Sequence, residues 1–362
     1  MDLRCCACPE RPTERQVWMS GLAFLVGTPR TRASSACAGC VLQLNSLFLR
    51  RRGWHHRVLA KGEARMRRRW LWVQAAVWVA AALSLVTQGV AADKINVLII
   101  DGQHNHNWKA TTPVVKDALE KTGRFAVEVA TTPGAKDPKE AWDKFRPDFS
   151  KCQVVLVNYH GQAWPREVND AMLKFLEGGG GLVFYHAAVF SHQGWAEWNK
   201  AMGMGWRPAS YGDRVALDDA GKPVRVPKGE GPGSGHGPAH AFEIIVRDKE
   251  HPVMKGLPEK WVHVKDELYH GMRGPCENIA ILATAFSSKE MKGTGMHEPM
   301  VWTVSYGKAR VFVSALGHDA SNTAVPDTAT LLARGAEWAA TGQVTIPVPA
   351  EFTATPGASA AK

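Results

Sequence analysis

Residues 94–101 (KINVLIID) form a continuous apolar run rich in β-branched side chains, and Gly102 ends it. A run of this length and composition is typical of a strand that is buried on both faces of a sheet. Three later segments have the same character: residues 125–130, 153–158 (QVVLVN) and 181–186 (GLVFYH). The first half of the domain therefore contains four predicted strands.

Segments with helical spacing separate these strands. They are residues 111–122, residues 165–177 with a proline in the first turn, and residues 191–202 with Ser191 as the expected N-cap. Strands that alternate with helices of 10–15 residues indicate parallel pairing with helices on both faces. The predicted fold is α/β, with a doubly wound, mainly parallel sheet.

The second half of the chain adds shorter apolar segments. Strands are predicted at residues 242–246, 261–264 and 279–283, and a hairpin added to the sheet at residues 299–305 and 310–315. The glycine-rich residues 229–237 (GEGPGSGHG) are expected to form a mobile loop or lid. A last helix at residues 328–340 completes one domain of residues 93–345. Residues 346–362 are expected to be a flexible tail.

The segment before this domain has the pattern of a secretory signal peptide. Residues 66–70 (MRRRW) are basic, residues 71–86 are mostly apolar, and small residues precede Asp93. The apolar run is shorter than the ~20 residues that a membrane-spanning helix needs, although a retained anchor is the alternative. We predict a signal peptide over residues 66–92, a periplasmic or secreted protein, and no stable membrane insertion after cleavage.

Residues 1–65 do not fit this arrangement, because a signal peptide belongs at a start codon. They carry five of the seven cysteines and show no sustained periodicity. We interpret Met66 as the true start and residues 1–65 as a mis-called, disordered extension. The alternative is a zinc module, in which two closely spaced pairs would supply the ligands: Cys5 with Cys8, and Cys37 with Cys40.

The charge of the chain follows the same division. Residues 1–92 hold 14 Lys and Arg against 4 Asp and Glu, so the remaining 270 residues carry 30 of each. The domain is thus neutral and lacks the basic surface that nucleic-acid binding requires. Its two cysteines, Cys152 and Cys276, could pair in an oxidising compartment or remain single buried thiols.

Side chains able to do chemistry follow five predicted strands at their carboxyl ends, where open α/β sheets bind ligands. They are His104 with His106, Tyr159 with His160, Tyr185 with His186, Glu267 with Tyr269, and His318 with Asp319. For His104 and His106 an ordinary loop role is favoured. His186 precedes two alanines that leave room for a ligand, and His318 has a similar setting, so both are predicted to be functional. Glu267 is the candidate carboxylate.

Three common motifs are missing from this edge of the sheet. The four glycines at residues 178–181 lie between a helix and the next strand, whereas phosphate-binding glycines lie between a strand and the next helix. The first strand is followed by no GxGxxG sequence, and no GxSxG elbow occurs. The sequence predicts no nucleotide cofactor.

Several sequence blocks resemble the ThuA-like (trehalose utilisation) family, whose fold is that of class I glutamine amidotransferases, a flavodoxin-like architecture. The blocks are GGGLVFYHAAVF at 179–190, WNKAMG at 198–203, HPVMKGLP at 251–258, VKDELYHGM at 264–272 and YGKARVFVSALGH at 306–318. They occur in order over nearly all of residues 94–342. The sequence HEP at residues 297–299 departs from the His-Pro that is commoner in the family, which leaves a role for His297 open.

The resemblance implies the amidotransferase scaffold without its glutaminase chemistry. In that fold the strand equivalent to residues 181–185 ends in a cysteine nucleophile, whereas this chain has His186 and Ala187 there. Without the thiol no thioester can form. By the family pattern, His186, Glu267 and His318 are the residues expected to form the site.

The sequence leads to one main hypothesis and two alternatives. The first is an extracytoplasmic enzyme for a sugar or keto-sugar, in which His186 and His318 act as acid and base or bind a divalent metal such as zinc, with Glu267 as their partner. Expected substrate contacts are His104, His160, Tyr269 and Trp198, with Trp164 and Trp195 as further aromatic faces. The alternatives are a sugar-binding or accessory protein without catalysis, and a glycoside hydrolase with Asp101 or Asp319 as its second carboxylate.

Overall fold

The computed structural model describes residues 93–353. The predicted extension at 1–65, the predicted signal peptide at 66–92 and the end of the tail lie outside the described residues. Within residues 93–353, no helix combines the length and apolar character needed to span a bilayer.

Five strands form the parallel half of the main sheet, in the order β2-β1-β3-β4-β13. They are β1 (Ile95–Asp101), β2 (Phe125–Thr131), β3 (Val154–Val157), β4 (Gly181–Tyr185) and β13 (Ala309–Ser314). β3 and β4 are buried at every residue, as their unbroken apolar sequences predict. The expected α/β fold with a sheet that is parallel in its core is confirmed.

Antiparallel strands extend the sheet beyond β13 in the order β12-β11-β8-β9. They are β8 (His240–Val246), β9 (Lys260–Asp266), β11 (Ile279–Ser287) and β12 (Met296–Tyr306), and β5 (Arg214–Leu217) with β6 (Pro223–Val226) pair beside β12. β12 and β13 form the expected hairpin, whose turn contains Gly307 at φ +57°. A separate small sheet joins β7 (Gly235–His236) to β10 (Tyr269–His270).

Helices cover both faces of the sheet, as the doubly wound prediction requires. The helices are α1 (Trp108–Glu120), α2 (Lys139–Lys144), α3 (Arg166–Glu177), α4 (Ala196–Met202), α5 (Ala320–Ala324), α6 (Pro326–Thr341) and α7 (Ala350–Thr353). α1 and α6 pack in one apolar cluster, and α3 and α4 in the other. β1 serves both clusters, because Val97 and Ile99 face one and Leu98 and Ile100 face the other. Each such side chain contributes roughly 1.5–3 kcal/mol by burial.

Three local predictions are wrong. The helix expected from Ser191 begins at Ala196, because residues 186–190 form a 3-10 turn. The Ser191 hydroxyl donates to the Ala188 carbonyl and accepts from Trp198 Nε1, so it caps no helix. The tail begins later than residue 345, since Ile346 and Phe352 are buried. Phe352 lies edge-on to Trp261 with 5.0 Å between ring centroids.

The glycine-rich residues 229–237 were expected to form a mobile loop or lid. In the structure, hydrogen bonds hold this segment against the domain. The fully buried guanidinium of Arg273 donates to the carbonyls of Pro227, Glu230 and Pro232. Ser234 adds a hydrogen bond from its backbone N–H to the Arg207 carbonyl at 3.0 Å. The guanidinium carries five N–H donors in a fixed planar arrangement, so its bonds to several loop carbonyls hold the loop in one place. β7 is therefore held beside β10.

Candidate metal centre

The carboxyl ends of the strands bring three of the sequence-predicted residues, His186, Glu267 and His318, to one place together with His106. The ring centroids of His106, His186 and His318 lie 4.4–5.6 Å apart. Glu267, one residue beyond β9, reaches the same point from the antiparallel half of the sheet. Its Oε2 lies 2.9 Å from His318 Nδ1, 3.8 Å from His186 Nε2 and 3.9 Å from His106 Nε2.

These four residues form a set that could hold a metal ion. One ligand atom of each, from His106, His186, Glu267 and His318, lies within 4.8 Å of all the others. Three imidazoles and one carboxylate are typical ligands of zinc and of other divalent first-row metals. We call these four residues the His₃Glu cluster.

The tautomer of His186 leaves its inner nitrogen without a proton, as a metal ligand requires. Nδ1 lies 2.8 Å from the Ala315 carbonyl, which can only accept, so Nδ1 carries the proton. Nε2 then accepts from the Tyr269 hydroxyl at 2.7 Å. Burial lowers the pKa of His186, which keeps the ring neutral near pH 7. The residue adopts φ +39°, a conformation that costs energy for a side chain with a Cβ and is often found at functional sites.

His104 positions His106 and does not itself face the cluster. Nδ1 of His104 accepts the His106 backbone N–H at 2.9 Å, so its Nε2 carries the proton and donates to Asn158 Oδ1 at 3.2 Å. Asn158 in turn donates to the hydroxyls of Thr111 and Thr112 at 3.0 Å. With both ring nitrogens engaged, His104 has no atom left for the substrate contact that the sequence suggested. Its role is to hold the loop that carries His106.

Burial also keeps His104 and His106 unprotonated. It lowers the pKa of His104 to about 4 and that of His106 to about 3, and the neighbouring histidines add to both shifts. A histidine binds a metal through a neutral ring nitrogen. His106 is therefore ready to bind a cation at neutral pH without first losing a proton.

A buried ion network fixes the other two members of the cluster. Asp266 Oδ1 accepts the backbone N–H groups of Glu267 and His318 at 2.7 and 3.2 Å. Its Oδ2 accepts the Gly317 N–H at 2.8 Å and lies 2.9 Å from His263 Nε2. The loops after β9 and β13 are thus joined through one carboxylate.

His263 is charged in this network. Its Nε2 meets Asp266 and its Nδ1 meets Asp327 at 2.7 Å, so both nitrogens donate to carboxylates. Burial alone would lower the pKa of His263, but the two carboxylates raise it to about 9. Burial would likewise raise the pKa of Asp266, yet the bond from His263 and nearby positive charge lower it to about 2.

Two histidines of the cluster have a ring nitrogen without a hydrogen-bond partner. Among the described residues, Nδ1 of His106 and Nδ1 of His318 are buried without a hydrogen-bond partner. The short distance between His318 Nδ1 and Glu267 Oε2 lacks the angles of a hydrogen bond. Buried polar atoms are nearly always satisfied, so such atoms mark a place for an ion or a water. The donor set and the unsatisfied nitrogens fit a divalent metal held by the His₃Glu cluster.

A protein-family model described as trehalose utilisation, ThuA, matches residues 96–339. The chain belongs to the ThuA family. A solved structure of a ThuA-like protein from Parabacteroides merdae is 44% identical with a TM-score of 0.67, covering 71% of this chain and 94% of that chain. Another, from Bacteroides uniformis, is 20% identical with a TM-score of 0.47, covering 74% and 99%. No curated protein matches the chain significantly.

The other predicted site residues of this ThuA protein divide into near and distant groups. Tyr269 reaches the cluster through its hydroxyl, and His160 lies beside it against Phe190, with ring centroids 4.9 Å apart. Trp198 is buried in the core with Nε1 bound to Ser191 Oγ at 2.8 Å, so it offers no face to a sugar. Trp164 and Trp195 pack around His192 in the same core region.

Several residues at the site were not selected from the sequence. His106 was given an ordinary loop role, and His236 lies in the glycine-rich segment that was expected to be a mobile loop or lid. His236 is still 38% exposed, but its Nε2 lies 3.6 Å from Glu267 Oε1. The half-buried rings of Phe190 and Trp206 stack at 4.4 Å, and Trp206 lies 4.8 Å from Tyr269. The aromatic wall of the site is therefore Phe190 with Trp206.

Neither cysteine of the ThuA domain can act as the amidotransferase nucleophile. Cys152 precedes β3, at the amino end of the strands and so at the edge opposite the cluster. Cys276 is buried and its Sγ donates to the Asp213 carbonyl. Burial raises the pKa of both thiols to about 11, which keeps them protonated. The two residues form no disulfide and remain single thiols.

Proposed function

We propose that this ThuA-family protein is a divalent-metal-dependent enzyme that acts on a sugar or keto-sugar derivative and has no glutamine amidotransferase activity. The observation that carries the proposal is the His₃Glu cluster, whose four ligand atoms lie within 4.8 Å of one another. Its place beyond the carboxyl ends of the strands is where open α/β sheets bind their substrates.

The cluster would hold the metal, with His106, His186, Glu267 and His318 as ligands. A bound divalent cation can polarise a carbonyl or hydroxyl oxygen and can lower the pKa of bound water. The inner side of the cluster is shielded from solvent, since the His186 side chain is only 2% exposed. The side at His318 is open, because that side chain is 34% exposed. Substrate would therefore approach from the side of His318 and His236.

Tyr269 is suited to donate a proton or a hydrogen bond to substrate. Burial and the nearby carboxylates of Glu267 and Asp266 raise its pKa well above the usual value, so the phenol stays protonated. Its hydroxyl lies 2.7 Å from the nitrogen of His186 that would bind the metal. A donor placed beside a cation stabilises negative charge that develops on a substrate oxygen.

His236 supplies an acceptor on the other side of the carboxylate. Its Nδ1 lies 2.7 Å from the Gly237 carbonyl, so the proton is on Nδ1 and Nε2 is left to accept. Nε2 lies 3.6 Å from Glu267 Oε1 and faces the open side of the site. A substrate hydroxyl bound there would meet an acceptor at His236 and a donor at Tyr269.

Two features support a sugar as the substrate class. The matching family model is described as trehalose utilisation. Phe190 stacks on Trp206, and Trp206 packs against Tyr269, whose hydroxyl contacts the cluster. Apolar ring faces beside polar donors and acceptors suit a sugar, which has both C–H and hydroxyl surfaces.

The proposal also places the enzyme outside the cytoplasm. It rests on residues 66–92, in which a basic start, an apolar stretch and small residues before Asp93 form a secretory pattern. N-terminal sequencing of the protein from its native host tests this proposal. A mature chain that starts near Asp93 supports it, whereas a chain that keeps residues 66–92 and is found in the cytoplasmic fraction contradicts it.

The function itself is tested by metal analysis and substrate screening. Protein purified without chelator should contain about one divalent ion per chain, and it should turn over a member of a panel of keto-sugars and disaccharides. His186→Ala should lose both the metal and the activity while keeping the fold. His297→Gln, which alters a histidine on β12 that is not part of the cluster, is the matched control and should keep both.

Different results would separate the alternatives. One metal per chain with sugar binding but no turnover would favour a binding or accessory protein. Turnover that survives in His186→Ala would refute the proposed centre.

A further inference from the structure

The turn that carries His186 has a strained backbone. Residues 186–190 form a 3-10 turn directly after β4, and the chain leaves it at Ser191. His186 has φ +39° at the start of this turn, and His192 has φ +42° just beyond its end. A left-handed conformation costs energy for a residue with a Cβ and persists only where surrounding contacts impose it. The orientation of His186 therefore depends on contacts that reach the turn from outside.

Arg207 makes these contacts from a buried position. The residue is only 1% exposed. Its guanidinium donates at 2.7–3.2 Å to three successive carbonyls at the end of the turn, those of Val189, Phe190 and Ser191. Nε and Nη2 also donate to Asn199 Oδ1 on α4, at 3.0 and 2.8 Å. The planar guanidinium thus fixes the carbonyls of the turn relative to a helix.

The same residue connects the turn to the rest of the site. Trp206, its neighbour in the chain, stacks on Phe190 with 4.4 Å between ring centroids. The Arg207 backbone N–H donates to Ser234 Oγ at 3.0 Å, and the Arg207 carbonyl accepts the Ser234 N–H at 3.0 Å. Ser234 directly precedes β7, which carries His236. The turn, the aromatic wall and the segment of His236 are therefore all attached at Arg207.

Arg207 is a buried cation without a carboxylate partner. Within residues 93–353 its guanidinium forms no ion pair, and its acceptors are backbone carbonyls and one side-chain amide oxygen. Burial lowers the pKa of Arg207 to about 10, so the side chain is charged near neutral pH. Buried charges in proteins are usually paired. A cation that meets only such oxygens around a strained turn indicates a need for the planar set of donors, which lysine cannot supply.

We propose that Arg207 is a positioning residue of the metal centre: its guanidinium holds residues 186–191 so that His186 Nε2 points into the His₃Glu cluster. Arg207 is not a member of the cluster, and it makes no contact with the groups that bond the His186 ring, the Ala315 carbonyl and the Tyr269 hydroxyl. It acts on His186 through the backbone of the turn. The inference rests on the proposed function for the metal, whereas the orientation of His186 can be measured in metal-free protein.

Arg207→Lys tests the proposal, and Arg334→Lys is the matched control. The lysine variant keeps a positive charge and loses the planar donors. Arg334 on α6 is also buried, at 4% exposure, and shares no acceptor with Arg207. Its acceptors are the carbonyls of Pro252, Val253, Lys255 and Ile346. Urea unfolding should show a comparable loss of stability in the two variants, so a difference at the site reports position and not general stability.

The orientation of His186 is measured by NMR of metal-free protein labelled with ¹⁵N-histidine. Its Nδ1–H donates to the Ala315 carbonyl at 2.8 Å, and its signal is assigned by its loss in His186→Ala. Arg207→Lys should shift or broaden this signal because the turn relaxes, whereas Arg334→Lys should leave it in place. An unchanged signal in Arg207→Lys would overturn the proposal.

Asn199→Ala keeps the test decisive if Arg207→Lys does not fold. It removes the side-chain oxygen that orients the guanidinium, while the arginine stays in place. The His186 signal should change in the same direction and to a smaller extent. Asn199→Asp keeps an acceptor for the guanidinium and should preserve the signal. No difference between these two variants would count against the role of Arg207.

Zinc affinity is the second readout. Competition titration should show about a 10–100-fold loss in Arg207→Lys, as for other groups that orient ligands, and less than about a twofold change in Arg334→Lys. Equal losses in the two variants would indicate general destabilisation and overturn the positioning role. A native protein that binds no divalent ion, with a His186 signal that still depends on Arg207, would remove the metal centre of the proposed function and leave the positioning of His186 standing.

Discussion

Asp266, the last residue of β9, accepts the backbone N–H of Gly317, which follows β13, at 2.8 Å. The bond joins strands from the antiparallel and parallel halves of the sheet, between residues that are 51 positions apart in the chain. Glu267 and His318 are the next residues on the two sides of this bond. The position of both residues therefore depends on a carboxylate that does not itself belong to the His₃Glu cluster.

Removal of this carboxylate should damage stability and metal binding together. Asp266→Ala leaves the charge on His263 with one partner and frees three backbone N–H groups. Breaking a buried ion pair from one side costs about 3–5 kcal/mol, and loss of a group that orients metal ligands reduces affinity about 10–100-fold. Urea unfolding and a zinc competition assay measure the two effects. Asp219→Ala, at an exposed position, should change neither; equal effects in both variants would contradict this role of Asp266.

The same network predicts how stability changes with pH. The folded state raises the pKa of His263 from 6.5 to about 9, so it keeps a proton that the unfolded chain releases above pH 6.5. The stabilisation is complete below pH 6.5 and is lost as the pH rises through 9. A shift of this size corresponds to about 3 kcal/mol. The unfolding free energy should fall between pH 7.5 and 9, where the histidines with lowered pKa are neutral in both the folded and the unfolded state, and His263→Gln should flatten this decline. An unchanged slope in the variant would show that another group is responsible.

The core of the fold could be predicted from the sequence because buried parallel strands leave a strong signal. β1, β3 and β4 are unbroken runs of β-branched and aromatic residues, and their lengths match the runs closely. β5 and β6 were missed because each has only four residues, and neither shows a pattern that distinguishes it from a loop. The glycine-rich segment appeared mobile because the sequence gives no sign that Arg273 lies beneath it.

The site was predictable in part for a related reason. Parallel strands end at one edge, so residues just past them meet, as His186 and His318 do. His106 and His104 have equivalent positions in the sequence, and only the hydrogen bonds of Asn158 decide which ring turns inward. Trp198 was expected at the surface of the site because a sequence carries no information on depth. Its ring fills the core instead.

The hydrogen-bonded chain behind His106 can be tested at Asn158. Asn158→Leu removes the acceptor for His104 Nε2, so His104 should turn and release the backbone of His106. We expect zinc affinity to fall about 10–100-fold, as it does when groups that orient ligands are lost. Zinc competition titration gives the size of the effect. Asn158→Asp keeps an acceptor in place and should restore most of the affinity; a loss as large as that of the leucine variant would exclude positioning through His104.

A substitution at Tyr269 should affect metal binding and turnover differently. Its hydroxyl occupies the Nε2 atom of His186 that a metal would need, so Tyr269→Phe removes a competitor for that nitrogen without changing the ring. Zinc affinity should stay the same or rise, whereas kcat should fall about 100-fold, because one donor to developing charge is commonly worth that much. Parallel measurement of zinc affinity and of kcat on the substrate found by screening decides the matter. If both fall together, Tyr269 supports His186 instead of acting on substrate; if neither changes, the phenol has no part in the site.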